Sequence, residues 1–361
     1  MKIAQIAPPW LTVPPTGYGG AEAVIGTLTD GLVERGHDVT LFASAGSRTN
    51  ARLRAYYDQP LGTPAMTENP LLALPPVLDA YSRAGQYDLI HDHTFPIGPA
   101  IGSTLRGPPV VHTVHTPPGG AHATGIYELL SSRVALIAVS DAQRRSRSDL
   151  TFAAIIQNGI PLADYPVGSS KDDYLLFVGR MAPQKGVHLA VRAARQLGRR
   201  LVIAAKMTDP AEVRYFEDQV RPLMGDAVTF VGEVDHPTKV ALYQRAACLL
   251  APARWPEPFG LVMVESMACG TPVVAFREGA ATEVVAHGVT GFLADHFDDF
   301  VAAIEPAGDL DPAACRRRVE EHFTADRMID AYVRLFADIV ARGRSQAWKA
   351  EHGAASLGPV P

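Results

Sequence analysis

Arg180 and Lys185 stand either side of Met181-Ala182-Pro183-Gln184, directly after the apolar run Tyr174–Val178 and where the next helical pattern, Lys185–Leu197, begins. A helix N-terminus already favours anions, by about 0.3–2 kcal/mol per unit charge. Two cations at that end are therefore unfavourable until an anion arrives. A diphosphate would resolve the conflict, with Arg180 giving a planar fork and Lys185 a point charge. Spacing alone leaves a solvated basic loop as the alternative.

Two carboxylates make the second constellation, in Arg254-Trp255-Pro256-Glu257-Pro258-Phe259-Gly260-Leu261-Val262-Met263-Val264-Glu265. Pro258 suits the first position of a helix, which puts Glu257 at or near its cap. Glu265 lies among apolar residues on a helix that reads as buried, so it needs hydrogen bonds or an ion partner. Eight helical steps span about 12 Å and turn about 80°. The pair can then address two ends of one elongated ligand but not act as a close acid–base dyad. A capping Glu257 and a salt-bridged Glu265 remain the plainer alternative.

Three further segments carry chemistry. Gly17-Tyr18-Gly19-Gly20-Ala21-Glu22 follows the first apolar run and lets a backbone approach a ligand closely. It is not G-x-G-x-x-G, and Leu41-Phe42-Ala43-Ser44 offers no acidic residue, so a dinucleotide fingerprint is poorly supported. An unliganded loop is the other reading. His91-Asp92-His93 puts two rings on one face of a strand, whereas His112 and His115 point oppositely. His115 precedes Thr116-Pro117-Pro118-Gly119-Gly120 at a strand end. There it suits an uncharged donor or proton relay to sugar hydroxyls, against the alternative of a buried, satisfied histidine. Arg144-Arg145-Ser146-Arg147 is a solvated face or a contact for an anionic acceptor or lipid headgroup.

The elements that must position these residues alternate strand and helix twice. Strand-like runs are Ile3–Ala7, Asp38–Ala43, Leu89–His93, Val110–His115, Ala135–Ser140 and Ala154–Gln157, with Ala21–Arg35 as the first helix. The alternation restarts with Tyr174–Val178, Lys185–Leu197, Leu201–Ala205, Ala211–Leu223, Val228–Val231, Lys239–Ala246, Leu249–Ala251, Phe259–Ala268, Pro272–Phe276, Thr282–Ala286 and Phe292–Ala294. Such continuous apolar runs suit parallel sheets covered on both faces. The expected architecture is α/β: two doubly wound Rossmann-like domains, 1–165 and 171–336, facing a central cleft. The closing helix Thr324–Val340 leads into a segment 337–361 that rejoins the first domain. Ligands of open α/β sheets bind at the carboxyl ends of strands.

Composition narrows the classes. The chain has 361 residues, 47% apolar and 20% charged, and a net charge of -5, which fits about two domains and argues against binding nucleic acid through a basic surface. Cys248, Cys269 and Cys315 form no C-x-x-C pair, so neither a disulfide framework nor a thiolate zinc site is expected. The opening Met1-Lys2-Ile3-Ala4-Gln5-Ile6-Ala7-Pro8-Pro9 reads as a first strand rather than a secretory signal, and no apolar run is long enough to span a membrane. The expectation is a cytoplasmic protein.

Together these segments resemble the family 4 retaining glycosyltransferases of the GT-B fold, from Lys2 to about Phe336. Gly179-Arg180 through Lys185-Gly186 is similar to the family's G-R-x4-K-G. Glu257 through Glu265 resembles its paired glutamates, Ala268-Cys269-Gly270-Thr271-Pro272-Val273-Val274-Ala275 its A-x-G-x-P-V-V-A, and Gln157-Asn158-Gly159-Ile160 its junction signature. The resemblance implies that Arg180 and Lys185 hold the donor diphosphate and stabilise the leaving group without a metal. It implies that Glu257 binds the donor sugar, helped by backbone at Phe259, Gly260 and Leu261, and that Glu265 binds the ribose. Gly19 and Gly20 would approach the phosphate from the first domain, and His115 would sit by the reacting centre.

The chain departs from the family's G-G-x-P-E at Gly279-Ala280-Ala281-Thr282-Glu283, which lacks the second glycine and the proline. The implied reaction moves a sugar from a UDP- or GDP-linked donor to a small-molecule, saccharide or lipid acceptor, with no cofactor and at most peripheral membrane contact. A nucleotide-sugar epimerase and a non-catalytic nucleotide-sugar-binding subunit are the alternatives.

Overall fold

Short runs of Val, Ile, Leu and Ala that are apolar on both faces become parallel strands, and this chain assembles them into two separate sheets. The computed structural model describes residues 1–119 and 124–344. The two sheets belong to two units: Met1–Pro15, Ala21–Gln157 and the chain from Asp326 onward make the first, and Thr16–Gly20 with Asn158–Ala325 the second.

The first unit carries β1 (Lys2–Ile6), β2 (Asp38–Ala43), β3 (Arg52–Ala55), β4 (Leu89–Asp92), β5 (Val110–Val114), β6 (Ala135–Ala138) and β7 (Phe152–Ile155) in the order β3-β2-β1-β4-β5-β6-β7. β3 is not among the strands expected from the sequence. Arg52-Leu53-Arg54-Ala55 is largely exposed at the sheet edge, so it lacks the apolar run that marks a buried strand.

The second unit carries β8 (Tyr174–Arg180), β9 (Arg200–Lys206), β10 (Val228–Gly232), β11 (Cys248–Ala251), β12 (Val273–Phe276) and β13 (Gly291–Ala294), ordered β10-β9-β8-β11-β12-β13. Its core includes Leu175 and Phe177 of β8 and the stripe Val187, Ala190, Val191 and Ala194 of the helix Val187–Leu197. That i, i+3, i+4, i+7 spacing is one face of a helix laid on a sheet.

Three boundaries differ from those expected. The units divide at 157/158 rather than between 165 and 171, and the chain returns to the first unit at Asp326 rather than 337. Packing explains both. Ile160 pairs with Thr324, its amide bonds to the Phe323 carbonyl, and a side chain on Gly159 would lie 2.2 Å from the Thr324 oxygen. Asn158–Ile160 is thus already anchored in the second unit. In the closing helix Ala325–Arg344, Asp326 and Asp330 bind Arg35, and Ile329 fills the space against Gly31. The third difference is local: the expected helix 211–223 is an α-helix only over Pro210–Tyr215, then a π turn and a 3-10 turn that holds Pro222.

Among the described residues no helix is long and apolar enough to cross a membrane.

Candidate active site

In the second unit the chain leaves β8 towards β9 on one side, while β11 lies on the other side of β8. The loops after β8 and β11 therefore flank the point where strand order reverses, the usual ligand position in an open parallel sheet. Arg180 is the last residue of β8. Lys185 ends a 3-10 turn, and Gly186, at φ 73°, caps the following helix. A side chain on Gly186 would lie 2.1 Å from the Pro252 carbonyl oxygen, so glycine here allows the two loops to touch.

That approach brings Lys185 to Glu257. The Lys185 ammonium and the Glu257 carboxylate form an ion pair through Oε2, and the Trp255 indole N–H donates to the same oxygen at 2.8 Å. Both charged side chains are mostly buried, at 18% and 17% exposure, so each needs the other's charge. The helix does not begin at Pro258, as expected, but at Leu261. Gly260, at φ 86°, is its cap, because only glycine adopts that conformation without strain. Glu257 is therefore a loop residue and not a helix cap, and the expected eight helical steps to Glu265 do not exist.

The departing segment 279–283 packs directly on Glu257. Gly279 has φ +51°, a side chain there would lie 2.4 Å from the Glu257 carbonyl oxygen, and the Ala280 amide donates to that carbonyl at 2.9 Å. Ala280 has an ordinary right-handed conformation, so this position does not require the missing second glycine.

Glu265 is buried and fully engaged. Oε1 accepts from the Tyr165 hydroxyl and the Lys239 ammonium, each at 3.0 Å, and Oε2 from the Tyr243 hydroxyl at 2.9 Å. Burial, then the Glu265 charge, pushes both tyrosines up, so they remain protonated donors. Of the segment between the glutamates, Phe259 turns its ring into the core against Phe323, with centroids 5.8 Å apart, which leaves only its backbone for a ligand. Gly20 lies close to the Leu261 side chain, and the Tyr18 amide donates to Glu233 at 2.7 Å. Gly19 and Gly20 thus group with the second unit although the chain on either side belongs to the first.

Two residues beside Arg180 escaped sequence reasoning. Strand register sets Lys206, the end of β9, opposite Arg180. Lys206 is buried and bonded to both oxygens of Glu212, at 3.1 and 3.2 Å, and Arg180 Nε lies 3.8 Å from the same carboxylate. Glu212 also accepts the Thr208 and Asp209 amides. A lysine ending an otherwise apolar strand, Leu201-Val202-Ile203-Ala204-Ala205-Lys206, was the available signal.

His115 lies in the first unit, just past β5. His93 Nδ1 and His115 Nε2 are 2.9 Å apart, and His93 Nε2 meets Gln5 Oε1 at 2.8 Å. The His91 and His93 rings share a face, with centroids 3.9 Å apart, while His112 points the other way, to the Asp92 carbonyl oxygen and Tyr127. Burial holds His91, His93 and His115 low and His112 at about 4. These rings are neutral in the fold, and the unfolded chain takes up protons below pH 6.5, so their contribution is lost as pH falls from there towards 4. Asp92, raised to about 6 by burial, acts in the opposite sense, holding a proton in the fold that the unfolded chain releases above its ordinary value of 3.8. Glu22, also raised by burial, acts as Asp92 does, and four histidines outweigh the two carboxyls. The melting temperature should therefore fall steadily between pH 6.5 and 4.5, at roughly 1.4 kcal/mol per pH unit for each net proton. A thermal unfolding series against pH checks this, and a flat profile would contradict it.

The basic run is internally paired: Arg144 and Arg145 bind Asp141 at 2.6 and 2.5 Å, and Arg147 binds Asp149. Among the described residues no three His, Cys, Asp or Glu side chains gather as a metal site.

A family model described as Glycosyltransferase Family 4 matches residues 18–164, and one described as Glycosyl transferases group 1 matches 166–318. The chain is 30% identical over 312 residues to a D-inositol 3-phosphate glycosyltransferase of Mycolicibacterium smegmatis, covering 73% of this chain and 71% of that protein. Among solved structures, AviGT4, a glycosyltransferase involved in avilamycin A biosynthesis, is 27% identical with a TM-score of 0.69, covering 94% of this chain and 98% of its own. HepE of Anabaena in complex with UDP-glucose is 22% identical with a TM-score of 0.71, covering 96% and 100%, a likeness of fold.

Proposed function

The chain belongs to glycosyltransferase family 4, of the GT-B type, and on that premise we propose that it is a retaining enzyme that moves a sugar from a UDP- or GDP-linked donor to an acceptor hydroxyl. One observation carries the reading: Lys185 and Glu257, far apart in sequence, meet where strand order reverses, with Arg180 at the end of the adjoining strand. A diphosphate sugar satisfies both charges. Arg180 and Lys185 take the phosphates and stabilise the charge that builds as the sugar bond breaks, so no divalent ion is required for that task. Glu257, released from Lys185, accepts hydroxyls of the sugar, with backbone at Phe259, Gly260 and Leu261 beside it. Glu265 orients the ribose, Gly19 and Gly20 lie against the phosphates, and His115 serves the transferred sugar as a neutral hydrogen-bonding group.

The acceptor is a small molecule, a saccharide or a lipid headgroup, and the reaction takes place in the cytoplasm. HepE's bound UDP-glucose makes that the first donor to try. The test is a thermal-shift panel of UDP, GDP and their sugars with and without EDTA. A selective rise in melting temperature that survives EDTA supports the reading, because a ligand bound only by the fold stabilises it by mass action. No shift with any of them would sink it. Product analysis without acceptor separates transfer from epimerisation, and donor binding without turnover identifies a non-catalytic subunit.

A further inference from the structure

Trp255 touches both charges of the pair on which the proposed function rests. Pro256 fixes the middle of Trp255-Pro256-Glu257, and the Glu257 amide closes the turn on the Trp255 carbonyl at 2.7 Å. The turn sets the two side chains together. The indole N–H then reaches Glu257 Oε2 at 2.8 Å, while the Lys185 ammonium sits 4.8 Å from the centre of the ring. Backbone bonds fix this loop: the Arg254 amide donates to Gln184, and Ala280 to Glu257. The Arg254 guanidinium, donating to the Asp295 carbonyl, holds it from outside. Among the described residues, only Lys185 and Trp255 are side chains that donate to the Glu257 carboxylate.

This matters when a ligand arrives. A diphosphate competes for Lys185, and Glu257 then loses its stronger partner in a mostly buried place. The indole N–H does not leave with the ammonium. It keeps Oε2 fixed and leaves Oε1 to meet the sugar. The ammonium rests over the ring face in the same position that pairs it with Glu257, so a diphosphate that draws it away also changes the surroundings of the indole. We propose that Trp255 is a positioning residue for Glu257, holding the carboxylate by its indole N–H while Lys185 passes to the donor's diphosphate. The proposal rests on the glycosyltransferase reading of this site.

Trp255→Phe keeps the ring and removes the N–H. UDP release from UDP-glucose should fall about tenfold or more in kcat, while the donor KM and the UDP Kd stay within about twofold, since only the sugar-facing carboxylate is misplaced. In a Glu257→Gln background the same change should cost nothing further. A second reading uses W10F/W348F, in which Trp255 is the remaining tryptophan. UDP should change its emission as Lys185 leaves the ring, and Lys185→Ala should abolish that change. A Trp255→Phe enzyme at wild-type kcat, an undiminished loss in the Glu257→Gln background, or an emission unaltered by bound UDP would each overturn the inference while leaving the glycosyltransferase reading intact. A wild-type protein that binds neither UDP nor GDP and consumes none of their sugars would remove both.

Discussion

Replacing Arg180 or Lys185 by alanine is expected to slow turnover by about a hundred- to a thousandfold, the loss of about 2.7–4 kcal/mol that follows removal of one donor to a developing charge. The two variants should differ elsewhere. Glu212 keeps Lys206 and two backbone amides when Arg180 is gone, and Arg180 contributes only a 3.8 Å approach to it. Arg180→Ala should therefore melt close to wild type and lose activity alone. Lys185→Ala removes the ion partner of a Glu257 that is mostly buried, so it should also destabilise the fold unless Glu257→Gln accompanies it. Steady-state kinetics on donor turnover, paired with melting temperatures, reads both parts. Wild-type turnover in both variants would show that the diphosphate lies elsewhere.

The residues of this site were more legible than its geometry. Lys185 and Glu257 lie in different strand–loop segments, and types alone indicated an anion and a polar ligand. That they bond to each other depends on the adjacency of β8 and β11, a consequence of sheet order that no local pattern carries. The helix after Glu257 shows a related limit. Pro258 is a good first helical residue, but Gly260 two positions later takes a left-handed conformation and starts the helix at Leu261. Strands buried on both faces were legible because their whole run is apolar. The edge strand Arg52–Ala55 was not, since half-solvated strands need no such run. Lys206 reads as a surface charge ending a strand, and its role beside Arg180 appears only through the register of β8 on β9.

Glu265→Ala should be the most destabilising of the site variants. Its carboxylate takes three donors, and removing it leaves the hydroxyls of Tyr165 and Tyr243 and the ammonium of Lys239 without their acceptor. Tyr243 is wholly enclosed and Tyr165 nearly so, so water cannot replace the lost oxygens without opening the fold. Breaking a buried charged pair by removing one partner costs about 3–5 kcal/mol, a large share of the roughly 5–15 kcal/mol that holds a domain together. Glu265→Gln keeps one acceptor oxygen but faces an N–H at a hydroxyl donor, and it should lose less. An ionised carboxylate offers about four acceptor positions, and three are filled here, which leaves one for a ribose hydroxyl. The glutamine variant should thus weaken UDP by about 1.5–3 kcal/mol, the worth of a hydrogen bond to a charged group. Calorimetry with UDP and urea unfolding, run on both variants, separate the two effects. An alanine variant as stable as wild type would mean that the three donors find other acceptors, and a glutamine variant with unchanged UDP affinity would confine Glu265 to the core.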